Sequence, residues 1–226
     1  MNKHKLIIIG NTSFSEIAYE YFTYDSPYDV VGFSVEEKYI KDKMIFGLPV
    51  IPFEKIEKVF APSIHSIFVA ATYTKLNRLR TRLSEEGKSK GYKLASYISS
   101  NSFIWRNVEI GEHCFIFEDN TIQPFVKVGN NNIIWSGNHI GHHSIIGDNN
   151  FVSSHVVISG HCNIKNNCFL GVNSTFSNNI TVNNDTLVGA GAVVTKSTNP
   201  GKVYIGNPAK ISIKNSYSAF GLEPPE

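Results

Sequence analysis

Apolar residues recur every six positions through the second half of the chain. Stepping from Ile104 gives Ile110, Ile116, Ile122, Val128, Ile134, Ile140, Ile146, Val152, Ile158, Ile164, Leu170, Phe176, Val182, Val188 and Val194. Sixteen consecutive positions keep this register; at a large-apolar frequency of roughly 30–40%, chance does not produce such a run. Two residues earlier the side chains are mostly small: Ser102, Cys114, Ser144, Cys162, Cys168, Ser174 and Ala192, with asparagines at 120, 132, 138 and 150. Residues two apart point to the same side of a strand, so one bulky and one small group face inward together. Glycine often follows the aliphatic, as at Gly111, Gly129, Gly141, Gly147, Gly171 and Gly189. Glycine and asparagine tolerate the positive φ that sharp corners require. A short strand and a corner, repeated, make a β-solenoid over residues 104–194.

The first 98 residues have a different texture. LIIIG (6–10), DVVGFSV (29–35), SIFVAA (66–71) and YKLASYIS (92–99) read as strands. SFSEIAYEYF (13–22) reads as a helix, with Ser13 as N-cap and Glu16 completing a capping box. TKLNRLRTRLSEEGK (74–88) reads as a basic amphipathic helix stopping at Gly87. Alternating strand and helix predicts a small Rossmann-like parallel sheet, with the loop after the first strand at the sheet's ligand-binding edge. The expected division is an α/β domain over 1–98, the solenoid over 99–200, and a turn with a loose tail over 201–226.

Composition narrows the classes. A net charge of +2 over 226 residues gives no reason to expect nucleic acid or an anionic membrane. No apolar run approaches the length of a membrane span, and the run at 6–9 is too short for a secretion signal. The three cysteines have no metal-ligand spacing, so a cytoplasmic protein with buried, reduced thiols is expected.

Six-residue repeats of this form resemble the hexapeptide-repeat acyltransferases. The order of strand, glycine loop, helix, second strand ending near an acid, and long solenoid resembles their bacterial sugar-modifying members: the nucleotide-aminosugar N-acetyltransferases and the sialic-acid O-acetyltransferase group. The resemblance implies a left-handed parallel β-helix with three hexapeptides per coil, a homotrimer with sites between neighbouring β-helices, acetyl-CoA as acyl donor, and a nucleotide-linked sugar held by the small domain. The family's nucleotide loop, Gly-x-Ser-Gly-His, is here Gly10-Asn11-Thr12-Ser13-Phe14; its paired aspartates fall at Val35 and Glu36; its glycine after the third strand is Thr72. Asn11, Thr12, Ser13, Glu36, Thr72 and His139 are thus the expected substrate contacts.

Five of the eight histidines lie within 136–174: His139, His142, His143, His155 and His161. In the family the active-site histidine stands five residues before a glycine and eighteen before another; His142, Gly147 and Gly160 match. Neutral imidazole can take the proton of an attacking amine or hydroxyl near neutral pH, so His142 is the expected general base. Gly160 is the expected backbone donor to the thioester oxyanion. The family's acidic neighbour is here His143, and Asp148 is a nearby carboxylate. His155 and His161 share the phase of His143 and read equally well as interface residues. The resemblance implies cofactor contacts as well: the family's pantetheine-lining positions fall on Phe151, Val172 and Ala190, Gly160 is a further contact, and Pro208 and Lys210 in GNPAK match the family's end pattern near the adenine. Trp105 and Trp135 read as packing residues.

The expectation is therefore an acetyl-CoA-dependent sugar acyltransferase, acetylating the amine of a nucleotide-linked 4-amino-deoxysugar, with no metal. The alternatives are O-acetylation of a sugar hydroxyl and a trimer that has lost catalysis. Some β-helix trimers are zinc carbonic anhydrases, but the match at His142, Gly147 and Gly160 and the N-terminal domain argue against that reading.

Overall fold

The computed structural model describes residues 4–224. They form two compact units, one of residues up to 72 plus 80–97, the other of residues 73–79 and 98 onward. A single cut near 98 therefore misplaces 73–79, which belongs with the solenoid.

The first unit is an α/β sheet. Strand β1 (His4–Ile9) leads into α1 (Ser13–Tyr24) and then β2 (Tyr28–Val35); β3 (Met44–Ile45), β4 (Leu48–Pro52), β5 (His65–Val69), α2 (Arg78–Ser89) and β6 (Lys93–Leu94) follow. The strand order is β3-β4-β2-β1-β5-β6, parallel except for the β3–β4 hairpin. Leu6 to Ile9 are buried because β1 is central, with helices to cover it. The hairpin was not predicted; it turns on Phe46 and Gly47, both left-handed (φ 51° and 74°).

Three helix and strand boundaries differ from expectation. The N-cap of α1 is Thr12, not Ser13, and the Thr12 amide donates to the Ser15 hydroxyl (3.2 Å), not to Glu16. Helix α2 begins at Arg78 because Lys75, Leu76 and Asn77 are all left-handed (φ 53°, 49° and 64°). It also runs through Gly87, where a Cβ would lie 2.1 Å from Ile67 Cδ1. That glycine lets the helix lie against β5 rather than ending it. The predicted strand over 92–99 is two two-residue strands, Lys93–Leu94 and Tyr97–Ile98.

The solenoid consists of sixteen two-residue strands, from Phe103–Ile104 to Val193–Val194, each ending on one of the sixteen periodic apolar residues. Strands pair in parallel with those eighteen residues away, making three flat faces. Successive aliphatics stack into one core with Cys114, Val126, Val156, Cys162, Cys168 and Ala192. All three cysteines are buried and none is in a disulfide, and burial pushes the Cys168 thiol up to about 12.

The small inward residues do more than leave room. Corner carbonyls that point inward accept from them fifteen residues earlier: Asn120 to Trp135 O (2.9 Å), Asn132 to Gly147 O (2.8 Å), Ser144 to Ser159 O (3.0 Å), Cys162 to Ser177 O (3.1 Å) and Cys168 to Asn183 O (3.2 Å). The same asparagine and serine oxygens accept amides eighteen residues on, as in Asn138 N to Asn120 Oδ1 and Asn150 N to Asn132 Oδ1. Buried backbone groups must be paired, and these side chains pair them.

The C-terminal segment is not a loose tail. Lys210–Asn215 pairs antiparallel with Lys202–Ile205, and Ser216–Ala219 is a helical turn. The Tyr217 hydroxyl donates to Asp185 Oδ2 (2.7 Å), and Arg78 meets Asp185 Oδ1 (2.7 Å). Residues 225 and 226 lie outside the described residues.

Asn132 donates to two carbonyls and accepts one amide. Replacing it by alanine orphans buried backbone, so Asn132→Ala is expected to lower stability by about 1–3 kcal/mol in urea unfolding. An exposed control such as Asn184→Ala should cost less.

Candidate active site

Each coil turns at three corners, and from residue 113 to residue 191 each corner carries one left-handed residue. From His113 to Gly191 every sixth residue, fourteen in succession, has φ between 56° and 75°. Asparagine, aspartate, glycine and histidine fill all of these positions but Phe125. These are the residue types that tolerate this conformation best. His143, His155 and His161 thus have a conformational reason for their place, independent of chemistry.

One corner stacks Phe125, His143 and His161 in a column. The Phe125 and His143 rings are 4.6 Å apart at 29°, and those of His143 and His161 are 4.9 Å apart at 17°. His142, one residue before the column, stands edge-on to both histidines, at 87° to each. Its Nδ1 lies 3.1 Å from His143 Nδ1, and its backbone N–H donates to Gln123 Oε1 (2.9 Å). All three histidines are exposed. His155 is at a different corner, where its ring lies over Gly137.

The His142 ring lies over Gly160. A Cβ at Gly160 would fall 2.8 Å from Cε1 and 2.9 Å from Nε2 of that ring. The bare glycine is therefore the seat of the imidazole. Its N–H, expected to face the thioester oxygen, instead donates to Asn178 Oδ1 (2.9 Å). The amide is thus engaged by a side chain of the next coil. The reason is architectural: an amide–side-chain ladder runs up the coil edges, as in Asn130 N to Asp148 Oδ1 and Asn166 N to Asn184 Oδ1. Asp148 belongs to that ladder at a neighbouring corner, holding Asn130 (2.6 Å), so it is not the missing carboxylate beside His142. Gln123 and Asn178 escaped the sequence reading. Their signal was register: Asn178 lies one coil of eighteen residues beyond Gly160, and Gln123 nineteen before His142.

His139 is half-buried on the face that leads into this corner, between Thr121 and Val157 of adjacent coils. Val172 and Ala190 lie at another corner, one coil apart in the turns that precede the 175 and 193 strands; both are exposed, with Gly191 N donating to Val172 O (2.8 Å). Pro208 follows a cis peptide bond, and the segment closes the last coil through Val193 N to Gly206 O and Ala209 N to Val193 O; Lys210 is exposed beyond it. Phe151 does not line an open channel. It is 4% exposed, stacked on Phe169 (5.4 Å, 1°) and covered by Tyr73 (4.9 Å). Residues 73–79 and the C-terminal Phe220 close that face. Trp135 stacks on Phe117 at 4.5 Å, within its own solenoid; Trp105 is exposed beside Phe103.

In the α/β unit, Asn11, Thr12 and Ser13 follow β1, Glu36 follows β2, and Thr72 follows β5. Since β2, β1 and β5 are adjacent and parallel, these residues share the carboxyl edge of the sheet, where strand order reverses. Asn11 Nδ2 donates to Tyr39 O (2.9 Å), and Glu36 is paired with Arg82 (3.1 Å). Gly10 has φ 143°, and a Cβ there would lie 2.5 Å from Ser15 Oγ.

These two units together define a fold class: a small parallel α/β domain and a left-handed parallel β-helix built on a six-residue repeat. Residues 125–160 match the family described as bacterial transferase hexapeptide (six repeats). The acetyltransferase domain of PglB from Neisseria gonorrhoeae superposes with a TM-score of 0.82 at 22% identity, covering 93% of this chain and 100% of that one. PerB from Caulobacter crescentus, solved with CoA and GDP-perosamine, gives 0.81 at 24% identity over 92% of this chain and 97% of its own. WeeI from Acinetobacter baumannii gives 0.63 at 20% identity over 92% and 99%. At these identities the likeness establishes the fold. No curated protein sequence matches the chain.

Gly160→Ala should leave the fold intact and displace the His142 ring. A displacement of that order is expected to lower turnover about a hundredfold, read as thiol release from the acyl donor.

Proposed function

We propose that this chain is an acetyl-CoA-dependent sugar acyltransferase that acetylates the amine of a nucleotide-linked 4-amino-deoxysugar. The observation that carries the reading is the His142 imidazole: exposed, seated on a bare glycine, and held by a partner at Nδ1. In support, PerB joins the same two-domain order to bound CoA and an aminosugar nucleotide.

The chemistry follows from the geometry. His142 donates its Nδ1 proton to the Nδ1 lone pair of neutral His143, which leaves the Nε2 lone pair for the substrate. As the amine attacks the thioester carbonyl, Nε2 takes its proton; as the C–S bond breaks, the Nε2–H passes that proton to the leaving sulfur, which releases CoA as thiol and restores the neutral base. No acyl-enzyme is required, because the thioester is already activated. His143 occupies the family's acid position and acts as a positioning residue. The developing oxyanion takes the Gly160 N–H in place of Asn178 Oδ1, since a charged acceptor outcompetes a neutral one.

The carboxyl edge bearing Asn11, Thr12, Ser13, Glu36 and Thr72 receives the nucleotide. Loop amides at the start of α1 suit a phosphate. Val172, Ala190, Pro208 and Lys210 contact CoA along the last coils. The solenoid assembles as a homotrimer, supported by exposed Phe103, Trp105, Phe125 and Val157 on and beside the histidine-bearing face. Among the described residues, no helix is long and apolar enough to cross a membrane.

Thiol release from acetyl-CoA, measured against nucleotide-linked amino and hydroxy sugars, tests this reading. An amino sugar is expected to turn over, and His142→Ala to lose about 10²–10⁴-fold in kcat. Turnover restricted to hydroxy sugars would make it an O-acetyltransferase. Binding of both ligands without turnover would mark a trimer that has lost catalysis.

A further inference from the structure

We propose that His142, His143 and His161 form a binding site for one divalent transition-metal ion, and that this ion and the base function exclude each other. The second half rests on the reading of His142 as base; the first does not.

One ring nitrogen from each histidine lies within 4.8 Å of the other two, and the His142–His143 pair is already at 3.1 Å. Three imidazoles around a tetrahedral zinc ion, with Zn–N of about 2.0–2.1 Å, place their nitrogens about 3.4 Å apart. Small side-chain rotations close the remaining gap, and the exposed rings are free to make them. The column supplies rigidity, since His143 and His161 are fixed one coil apart by the backbone bond His161 N to His142 O (2.9 Å). Water completes the fourth position on the exposed side.

The donor set selects the ion. Neutral imidazoles favour Zn²⁺, Co²⁺, Ni²⁺ and Cu²⁺; Mg²⁺ and Ca²⁺ require oxygen donors, and the cluster contains no carboxylate. Exclusion follows from electron count. A neutral imidazole has one nitrogen lone pair and one N–H. If the metal takes His142 Nε2, the lone pair needed for the amine proton is used. If it takes Nδ1, the proton moves to Nε2 and the same lone pair is lost. Either way, metal-loaded His142 is no base.

The test is a titration of the untagged, chelator-stripped full chain with Co²⁺, followed by ligand-field absorption, with Zn²⁺ displacement. Saturation at one ion per chain is expected, unaffected by Mg²⁺. His161→Asn should weaken it about tenfold or more, because asparagine suits the left-handed corner but replaces an imidazole donor. His142→Asn, outside the left-handed column, provides a second variant, and circular dichroism checks both for folding. Absence of saturable binding, or binding equal to wild type in both folded variants, overturns the site. In the thiol-release assay Zn²⁺ should inhibit and chelator restore. Binding without inhibition overturns the exclusion and keeps the site. If no acceptor turns over, the exclusion falls with the proposed function, while the titration still decides the site.

Discussion

The solenoid depends on one backbone requirement: a left-handed residue at every corner, once per six residues from 113 to 191. For most L-residues each such position costs about 1–2 kcal/mol. Five asparagines, two aspartates, two glycines and four histidines hold thirteen of the fourteen positions, which keeps the accumulated strain low. The exception is Phe125, which stacks on His143 at the foot of the histidine column. With the corners fixed, the aliphatic phase stacks into a core, and the inward asparagines, serines and cysteines satisfy the corner carbonyls.

The candidate site grows out of the same requirement. Histidine is admitted to the corner for its conformation, and two coils in register bring His143 and His161 face to face. The residue just before the corner projects beside that stack, and there stands His142. The coil beyond offers Gly160, where any larger residue would collide with the ring. The proposed chemistry thus uses side chains that the architecture has already aligned, held by the rungs beneath.

The solenoid was legible because its period is short and strict: sixteen apolar residues in register point to one fold. His142 and Gly160 were singled out by the resemblance to the family's active-site pattern, and the structure places the one ring over the other residue. What escaped was of two kinds. Local conformations with no strong signal were missed, such as the left-handed run Lys75–Asn77 and the hairpin at Phe46–Gly47. Contacts across coils were missed as well, because they depend on rotamers: Asn178 on the Gly160 amide, Gln123 on His142, and Tyr73 over Phe151. Phe151 shows the limit of carrying positions over by register, since its accessibility is decided by a segment 78 residues earlier in the chain. The tail was misjudged because its polar surface hides one buried anchor, Tyr217 on Asp185.

The central claim is that His142 is the base and His143 holds its ring through Nδ1. The direct measurement compares kcat and KM for His143→Asp and His143→Gly with wild type. Both replacements suit the left-handed corner, as Asp119, Asp185, Gly137 and Gly191 show. The account predicts that aspartate, still able to accept the Nδ1 proton, keeps kcat within about tenfold of wild type, while glycine lowers kcat by more than about tenfold at similar KM. A glycine variant as fast as wild type, or an aspartate variant as slow as glycine, would contradict it.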